Sequence, residues 1–269
     1  MIKAIVMGAG GRMGGRISTL IAAAKDVEVA AAVEKKGHPV IGKDLGEILG
    51  LGKSGITVVD DLKKVIDIGD VIIDFTHHES SLQNLELAAK KGKPIVIGTT
   101  GFTPEELKKA GKCAKKTPCV LAPNMSVGVN VMFKVLENVA TILGNDYDVE
   151  IVEAHHNLKK DAPSGTAMKM AQIIAAALDR NLDKEGVYTR KGMIGERSKT
   201  EIGIQTLRGG DIVGEHNVMF VTNGERLEFI HRAHNRDNFA RGAIRAARWV
   251  ISQKNGLYDM QDVLGLRTA

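Results

Sequence analysis

Ile2-Lys3-Ala4-Ile5-Val6-Met7-Gly8-Ala9-Gly10-Gly11-Arg12-Met13-Gly14 decides how this chain is read. The apolar run Ile2–Met7 reads as a buried strand, and four glycines follow within seven residues. Glycine lets a backbone turn tightly and approach a ligand closely. A helix beginning after such a turn aims its free N–H groups and the positive end of its dipole at an anion. A glycine pattern alone is weak. Between an N-terminal strand and a helix it has the context of a dinucleotide's pyrophosphate loop. An acidic residue at the end of the next strand is the second expectation, and Glu34 stands there, 20 residues past Gly14. Its carboxylate suits ribose hydroxyls and repels a 2′-phosphate. Lys35 and Lys36 follow at once with charge that would hold that phosphate, so both NADH and NADPH are expected to be used.

Outward from the loop, short apolar runs alternate with helical patterns as far as residue 122. Strands are expected at Val27–Val33, Val71–Phe75, Pro94–Ile97 and Cys119–Leu121, and helices at Met13–Ala24, Ser80–Lys91 and Pro104–Lys116. Thr103 is placed to cap the last of these, with Pro104 in its first turn. This alternation implies a parallel sheet built from right-handed crossovers. Gly98-Thr99-Thr100-Gly101, Phe75-Thr76 and Ala122-Pro123-Asn124-Met125 all follow strand ends, where open parallel sheets collect their ligands.

The pattern changes near residue 126. A long helix is expected from a Ser126 cap to Leu143, then a strand at Tyr147–Ala154 and a helix from Thr166 to Leu178. Glu201–Leu207, His216–Val221 and Arg226–His231 alternate with period two, which predicts a mixed or antiparallel sheet. Asn223-Gly224 predicts a hairpin with a type I′ turn. Phe239–Ile251 reads as a closing helix, with Met260–Leu264 in the tail.

The densest chemistry is Glu153-Ala154-His155-His156-Asn157-Leu158-Lys159-Lys160-Asp161-Ala162-Pro163-Ser164-Gly165-Thr166. Histidine and lysine exchange protons near neutral pH when their surroundings shift them. Ser164, Gly165 and Thr166 would offer backbone N–H groups and hydroxyls to a carboxylate at a helix start. The segment therefore reads as a cationic pocket for an organic acid. Adjacent residues on an extended chain point to opposite sides, so the tandem histidines are poor candidates to share one metal ion, and no metal is expected.

Composition narrows the field. The 269 residues are 43% hydrophobic and 26% charged, ordinary for a globular protein of one or two domains. The net charge of +5 fits an anionic small molecule. Aromatics at 4% and scattered basic residues give no nucleic-acid footprint. Cys113 and Cys119 form neither a disulfide framework nor a CxxC motif. No uninterrupted apolar run approaches the ~20 residues of a membrane span, and the N-terminus lacks a signal-peptide pattern, so a cytoplasmic location without membrane partners is expected.

Together, Gly8–Gly14, Gly98-Thr99-Thr100-Gly101-Phe102, Asn124–Asn130 and Glu153–Thr166 resemble the dihydrodipicolinate reductases of bacterial lysine biosynthesis, over essentially the whole chain. The resemblance implies an α/β chain: a Rossmann domain at 1–126 completed by 237–269, and an α+β substrate and tetramerisation domain at 127–236. It implies NAD(P)H-dependent reduction of a dicarboxylate cyclic imine, with loss of water, in a homotetramer. His155 then matches the general acid/base and Lys159 the proton donor, although spacing does not decide which of the two delivers the proton. His156, Gly165 and Thr166 match substrate-carboxylate contacts. Gly8, Ala9, Gly10, Gly11, Arg12, Met13, Glu34, Lys35, Gly98, Thr99, Thr100, Ala122, Pro123, Asn124 and Met125 match cofactor contacts. Many family members carry arginine where this chain has Lys35, and an ammonium lacks arginine's planar fork. Three rival readings fit less well. Sugar-type dehydrogenases carry Glu-Lys-Pro where the nearest match here is Gly92-Lys93-Pro94. Semialdehyde dehydrogenases need a cysteine at a helix start. A regulator would leave the His–Lys segment without a purpose.

Overall fold

The computed structural model describes residues 1–267, so the last two residues of the 237–269 segment lie outside the described residues. The chain divides into two compact units. One is Met1–Val127 with the chain from Arg236 onward, and the other is Gly128–Asn235.

The first unit opens with β1 (Ile2–Met7), α1 (Arg12–Ala22), β2 (Val27–Val33), α2 (Leu45–Ile48) and β3 (Val58–Val59). After two short 3-10 turns come β4 (Val71–Asp74), α3 (His78–Lys91), β5 (Ile95–Ile97), α4 (Pro104–Ala114) and β6 (Pro118–Leu121). The second unit holds most of α5 (Val127–Leu143), then β7 (Asp148–His155), α6 (Gly165–Ala177), α7 (Leu182–Glu185), β8 (Gly186–Val187), β9 (Ile202–Arg208), β10 (Gly214–Thr222) and β11 (Glu225–Ala233). The chain then rejoins the first unit through α8 (Asp237–Val250), β12 (Gly256–Tyr258) and α9 (Met260–Val263).

Seven parallel strands in the order β12-β6-β5-β4-β1-β2-β3 form the first sheet. Its central strands read as unbroken apolar runs because both faces are covered. Ala4, Val6, Val71, Ile73 and Val96 face one core with Ile17, Ile21 and the small residues of α8. Ile5, Ile72, Ile95 and Ile97 face the other, with Leu85 and Ala110. The strand order reverses beside β1, which has β2 on one side and β4 on the other, and the glycine loop sits just beyond that switch. At α4, Thr103 caps the helix with Pro104 in the first turn, as the sequence predicts, and Glu106 completes a reciprocal capping box that the sequence reading did not include.

The second sheet, in the order β11-β10-β7-β9-β8, is mixed: β7 runs antiparallel to β10 and parallel to β9. α5 and α6 cover one face, with Val129, Leu136, Met170 and Ile174 meeting Val149, Ile151, Ile204 and Phe220. Residues Val127–Asp146 are long and apolar enough to cross a membrane by length and composition alone. Here the apolar stripe of α5 is core, while Lys134 and Glu137 pair on its outer side.

Two readings need correction. The Asn223-Gly224 hairpin forms with Thr222 opposite Glu225, but only Gly224 has positive φ, at 96°. That is the pattern of a type II turn, not type I′. The elements β3, β8, β12, α2 and α7 are absent from the sequence reading because two to four residues carry no measurable period.

Candidate functional site

In the first unit, Gly8 ends β1 with φ of 65°, where a side chain would be strained. α1 starts at Arg12 with no side-chain cap, so its leading N–H groups remain for an anion. The fit is close: a Cβ on Gly14 would stand 2.1 Å from the Gly8 carbonyl oxygen. Glu34, at the end of β2, accepts from the Gly10 N–H at 3.0 Å and from the Lys35 N–H at 2.9 Å. The acidic residue expected to meet a ribose therefore also fixes the glycine loop.

A cavity of about 870 Å³ opens here, large enough for a dinucleotide. Gly8, Gly11, Arg12, Met13, Glu34 and Lys35 line it, as expected from sequence. So does Thr76, from one of the strand-end turns the sequence offered for ligands, together with His38, Asp60 and His77, to which the sequence reading gave no role. A Cβ on Gly10 would meet the His38 ring at 2.7 Å, so this ring covers the loop.

Other expected contacts turn inward. Ala9 is buried and donates its N–H to Val33. The Thr99 hydroxyl lies 2.7 Å from that of Ser81, which donates to the buried Asp74 carboxylate. Asp74 also accepts from the Thr76 N–H and hydroxyl and from Asn84, which ties the ends of β4 and β5 together. Ala122 and Met125 are core side chains, and Asn124 accepts from the Ser126 N–H. Gly98 is half-buried, while Thr100 and Pro123 are exposed.

In the second unit the His–Lys segment leaves the end of β7 and returns as α6. Alternation along β7 puts Glu153 and His155 on the face that carries Val149 and Ile151. Register then sets a row across the sheet, Thr206–Glu153–His216–His231, on four adjacent strands. Glu153 is wholly buried, and four partners donate to its carboxylate. His155 Nδ1 lies at 2.6 Å, the Arg208 guanidinium reaches both oxygens at 2.8 and 2.9 Å, the Ser164 N–H lies at 2.9 Å and the Thr206 hydroxyl at 3.3 Å. Burial works against its charge, but the bonds from Arg208, His155 and Ser164 outweigh that and hold its pKa at about 2.

Burial pushes the His155 imidazole down from its ordinary pKa; the Glu153 anion pulls the other way and loses. Its Nε2 edge faces Gly214, where a Cβ would come within 3.0 Å. His216 is driven down to about 3 by burial and by its neighbours His155 and His231, so it stays neutral. Lys159 reaches back to Asp161 at 2.8 and 2.9 Å, and its ammonium holds that carboxyl below the usual range.

Ser164 departs from expectation. It is buried, caps α6 by accepting from the Ala167 N–H, and lies 3.1 Å from His216 Nε2, so its hydroxyl is spent on the fold. Gly165 and Thr166 begin α6; Gly165 is exposed with open space beside it, and Thr166 is half-buried. His156 is half-buried, and its Nδ1 has no partner. The sequence reading gave no role to Glu153, Thr206, Arg208 or His216. The i, i+2 spacing of Glu153 and His155 was a readable signal, whereas the other three depend on strand register. Among the described residues no group of three His, Cys, Asp or Glu is placed to hold a metal ion.

Comparison with known proteins covers both units. Residues 2–125 match the family model for the N-terminus of dihydrodipicolinate reductase, and residues 128–264 match that for its C-terminus. A 4-hydroxy-tetrahydrodipicolinate reductase of Syntrophus aciditrophicus is 64% identical over 268 residues, spanning the whole of both chains. One from Geobacter sulfurreducens is 56% identical, covering 99% of this chain and all of its own. The dipicolinate-bound dihydrodipicolinate reductase of Paenisporosarcina sp. TG-14 superposes with a TM-score of 0.75 at 27% identity, over 97% of this chain and 98% of its own. The matches run through both the unit with the glycine loop and the unit with the His–Lys segment, and this chain belongs to the dihydrodipicolinate reductase family.

Proposed function

We propose that the protein reduces 4-hydroxy-tetrahydrodipicolinate to tetrahydrodipicolinate, with loss of water, in lysine and diaminopimelate biosynthesis. The observation that carries this is the 64% identity, across the entire chain, to a relative named for that activity. The cofactor is a pyridine nucleotide. When bound, its reduced nicotinamide supplies a hydride to the substrate ring. Gly8, Gly10, Gly11, Arg12 and Met13 would hold the pyrophosphate, and Glu34 the adenosine ribose. Lys35 and Lys36 bring positive charge for a 2′-phosphate, which supports use of both NADPH and NADH. Gly98–Thr100 and Ala122–Met125 would meet the nicotinamide half through their backbone, since several of those side chains are spent on the core.

The substrate is a dicarboxylate, as is the dipicolinate bound by the Paenisporosarcina relative. Lys159, His156 and the Gly165–Thr166 helix start supply the positive potential and N–H donors that two carboxylates require. Lys159 carries a proton to give, while His155 presents Nε2 to the substrate. The protein works in the cytoplasm as a homotetramer, with residues 127–236 as the substrate and assembly domain. An assay following NADH consumption, with substrate made in situ from pyruvate and aspartate semialdehyde, tests the activity; no enzyme-dependent consumption would refute it. Calorimetric titration with NADH and NADPH tests the dual specificity. The double variant Lys35→Ala/Lys36→Ala is expected to weaken NADPH at least tenfold more than NADH.

A further inference from the structure

The carboxylate at the start of α4 does more than its own helix requires. Glu106 accepts the Thr103 N–H at 2.8 Å, and the Thr103 hydroxyl accepts the Glu106 N–H in return, which completes the cap. The same carboxylate also meets His78, in the first turn of α3, with Nδ1 at 2.8 and 2.9 Å from its two oxygens. An ionised carboxylate only accepts, so the ring donates from Nδ1. The Thr103 N–H and the His78 ring hold the Glu106 carboxyl below its usual range. Both side chains are mostly buried, at 23% and 17% exposed, so solvent screens the pair less than a surface contact.

This pair closes over Gly98–Phe102, the loop between β5 and α4. The His78 ring lies edge-on to Phe102, with centroids 6.2 Å apart, and a Cβ on Gly101 would rest 3.7 Å from it. The other end of the loop hangs on α3 as well. There the Thr99 and Ser81 hydroxyls lie 2.7 Å apart, and Ser81 donates to Asp74. Thr100, between the two anchors, is exposed. The loop also borders the dinucleotide cavity. A Cβ on Gly98 would stand 2.2 Å from the Phe75 ring. Phe75 lines that cavity, as does His77, whose ring lies 4.2 Å from that of His78. Packing of the two helices does not call for the His78–Glu106 bond. α3 and α4 already meet through Leu85, Ala88, Ala110 and Ala114 in the core, and farther along through the Lys109–Glu86 ion pair.

We propose that His78, bonded to Glu106, positions the Gly98–Thr100 loop against the nicotinamide half of the cofactor and so sets the distance over which the hydride moves. The inference rests on the reading above that this loop meets that half. His78 is a positioning residue, acting through the loop's backbone. The glycine loop and Glu34 hold the other half of the dinucleotide, so loosening Gly98–Thr100 leaves most of the binding in place. Hydride transfer is more demanding, because a displacement of about 1 Å costs roughly a hundredfold in rate.

Two substitutions separate the bond from the packing. His78→Phe keeps a ring against Gly101 and Phe102 but loses the donor, whereas His78→Asn keeps a donor near the position of Nδ1. Hydrogen exchange read by mass spectrometry needs no turnover. Amides of the Gly98–Phe102 loop should exchange about tenfold faster in His78→Phe than in the wild type, and near the wild-type rate in His78→Asn. In the NADH assay, kcat should fall about tenfold or more in His78→Phe, with KM for NADH within about twofold. The isotope effect from NADH deuterated at the transferred position should rise, as hydride transfer becomes the slow step. His78→Asn should recover most of the rate. Circular dichroism melts of both variants should match the wild type, and a His78→Phe chain that fails to fold would show that the bond serves stability and overturn the proposal. Unchanged loop exchange and an unchanged isotope effect in His78→Phe would overturn it alone, as would a loss that His78→Asn leaves unrecovered. Wild-type protein that consumes no NADH with this substrate would overturn the functional reading with it.

Discussion

Glu153 shows at the scale of one residue what a buried charge can organise. Breaking such a cluster by removing one partner leaves an uncompensated group, and the effect is large. Acid pH does the same by protonation. Glu153 sits at about 2 and His216 at about 3, against ordinary values near 4.3 and 6.5. The unfolded chain therefore binds protons that the folded chain refuses. Stability is fully present above about pH 6.5; it falls first as His216 resists protonation, down to about pH 3, and then through the Glu153 window from about 4.3 to 2. His216→Asn is expected to flatten the upper part of a Tm-against-pH curve. An equal Tm change at pH 7 and pH 4 would contradict this. Lys159→Ala should cut turnover by about a hundredfold or more, while calorimetry finds dinucleotide affinity little changed. The sequence placed His155 and Lys159 in one segment, but it could not show that Arg208, 53 residues past His155, closes on Glu153.

At the scale of elements, the β1–α1 turn depends on contacts that only glycine permits. A Gly14→Ala side chain would meet the Gly8 carbonyl oxygen at 2.1 Å and Met7's at 3.0 Å, forcing the helix away from its strand. Dinucleotide affinity should fall at least tenfold by calorimetry, and an unchanged Kd would mean that this close approach is not needed. Helix boundaries were legible where a side chain marks them, as at Thr103 and Pro104. They were less legible where register decides. The Thr206–Glu153–His216–His231 row follows from strand pairing, and a one-residue slip would turn all four side chains to the other face.

For the whole molecule, the uncovered face of the second sheet carries Val152, Leu207, Met219, Val221 and Ile230, with Leu207 and Ile230 about half exposed in the single chain. Large apolar side chains exposed among the charged residues of a sheet face suit an interface. Sedimentation equilibrium is expected at four times the 28.9 kDa chain mass, and Leu207→Glu/Ile230→Glu should lower it. A monomer in the wild type would refute the homotetramer.

The sequence alone determined the parallel sheet, the presence of a second sheet, the glycine loop and the His–Lys segment, because each is written in local periodicity and spacing. Tertiary structure alone decided which of those residues face a ligand and which face the core. Ser164, Thr99 and Met125 turned inward, and Glu153, Arg208 and His216 converged on His155. Burial and strand register are relations between distant parts of the chain, and no local pattern encodes them.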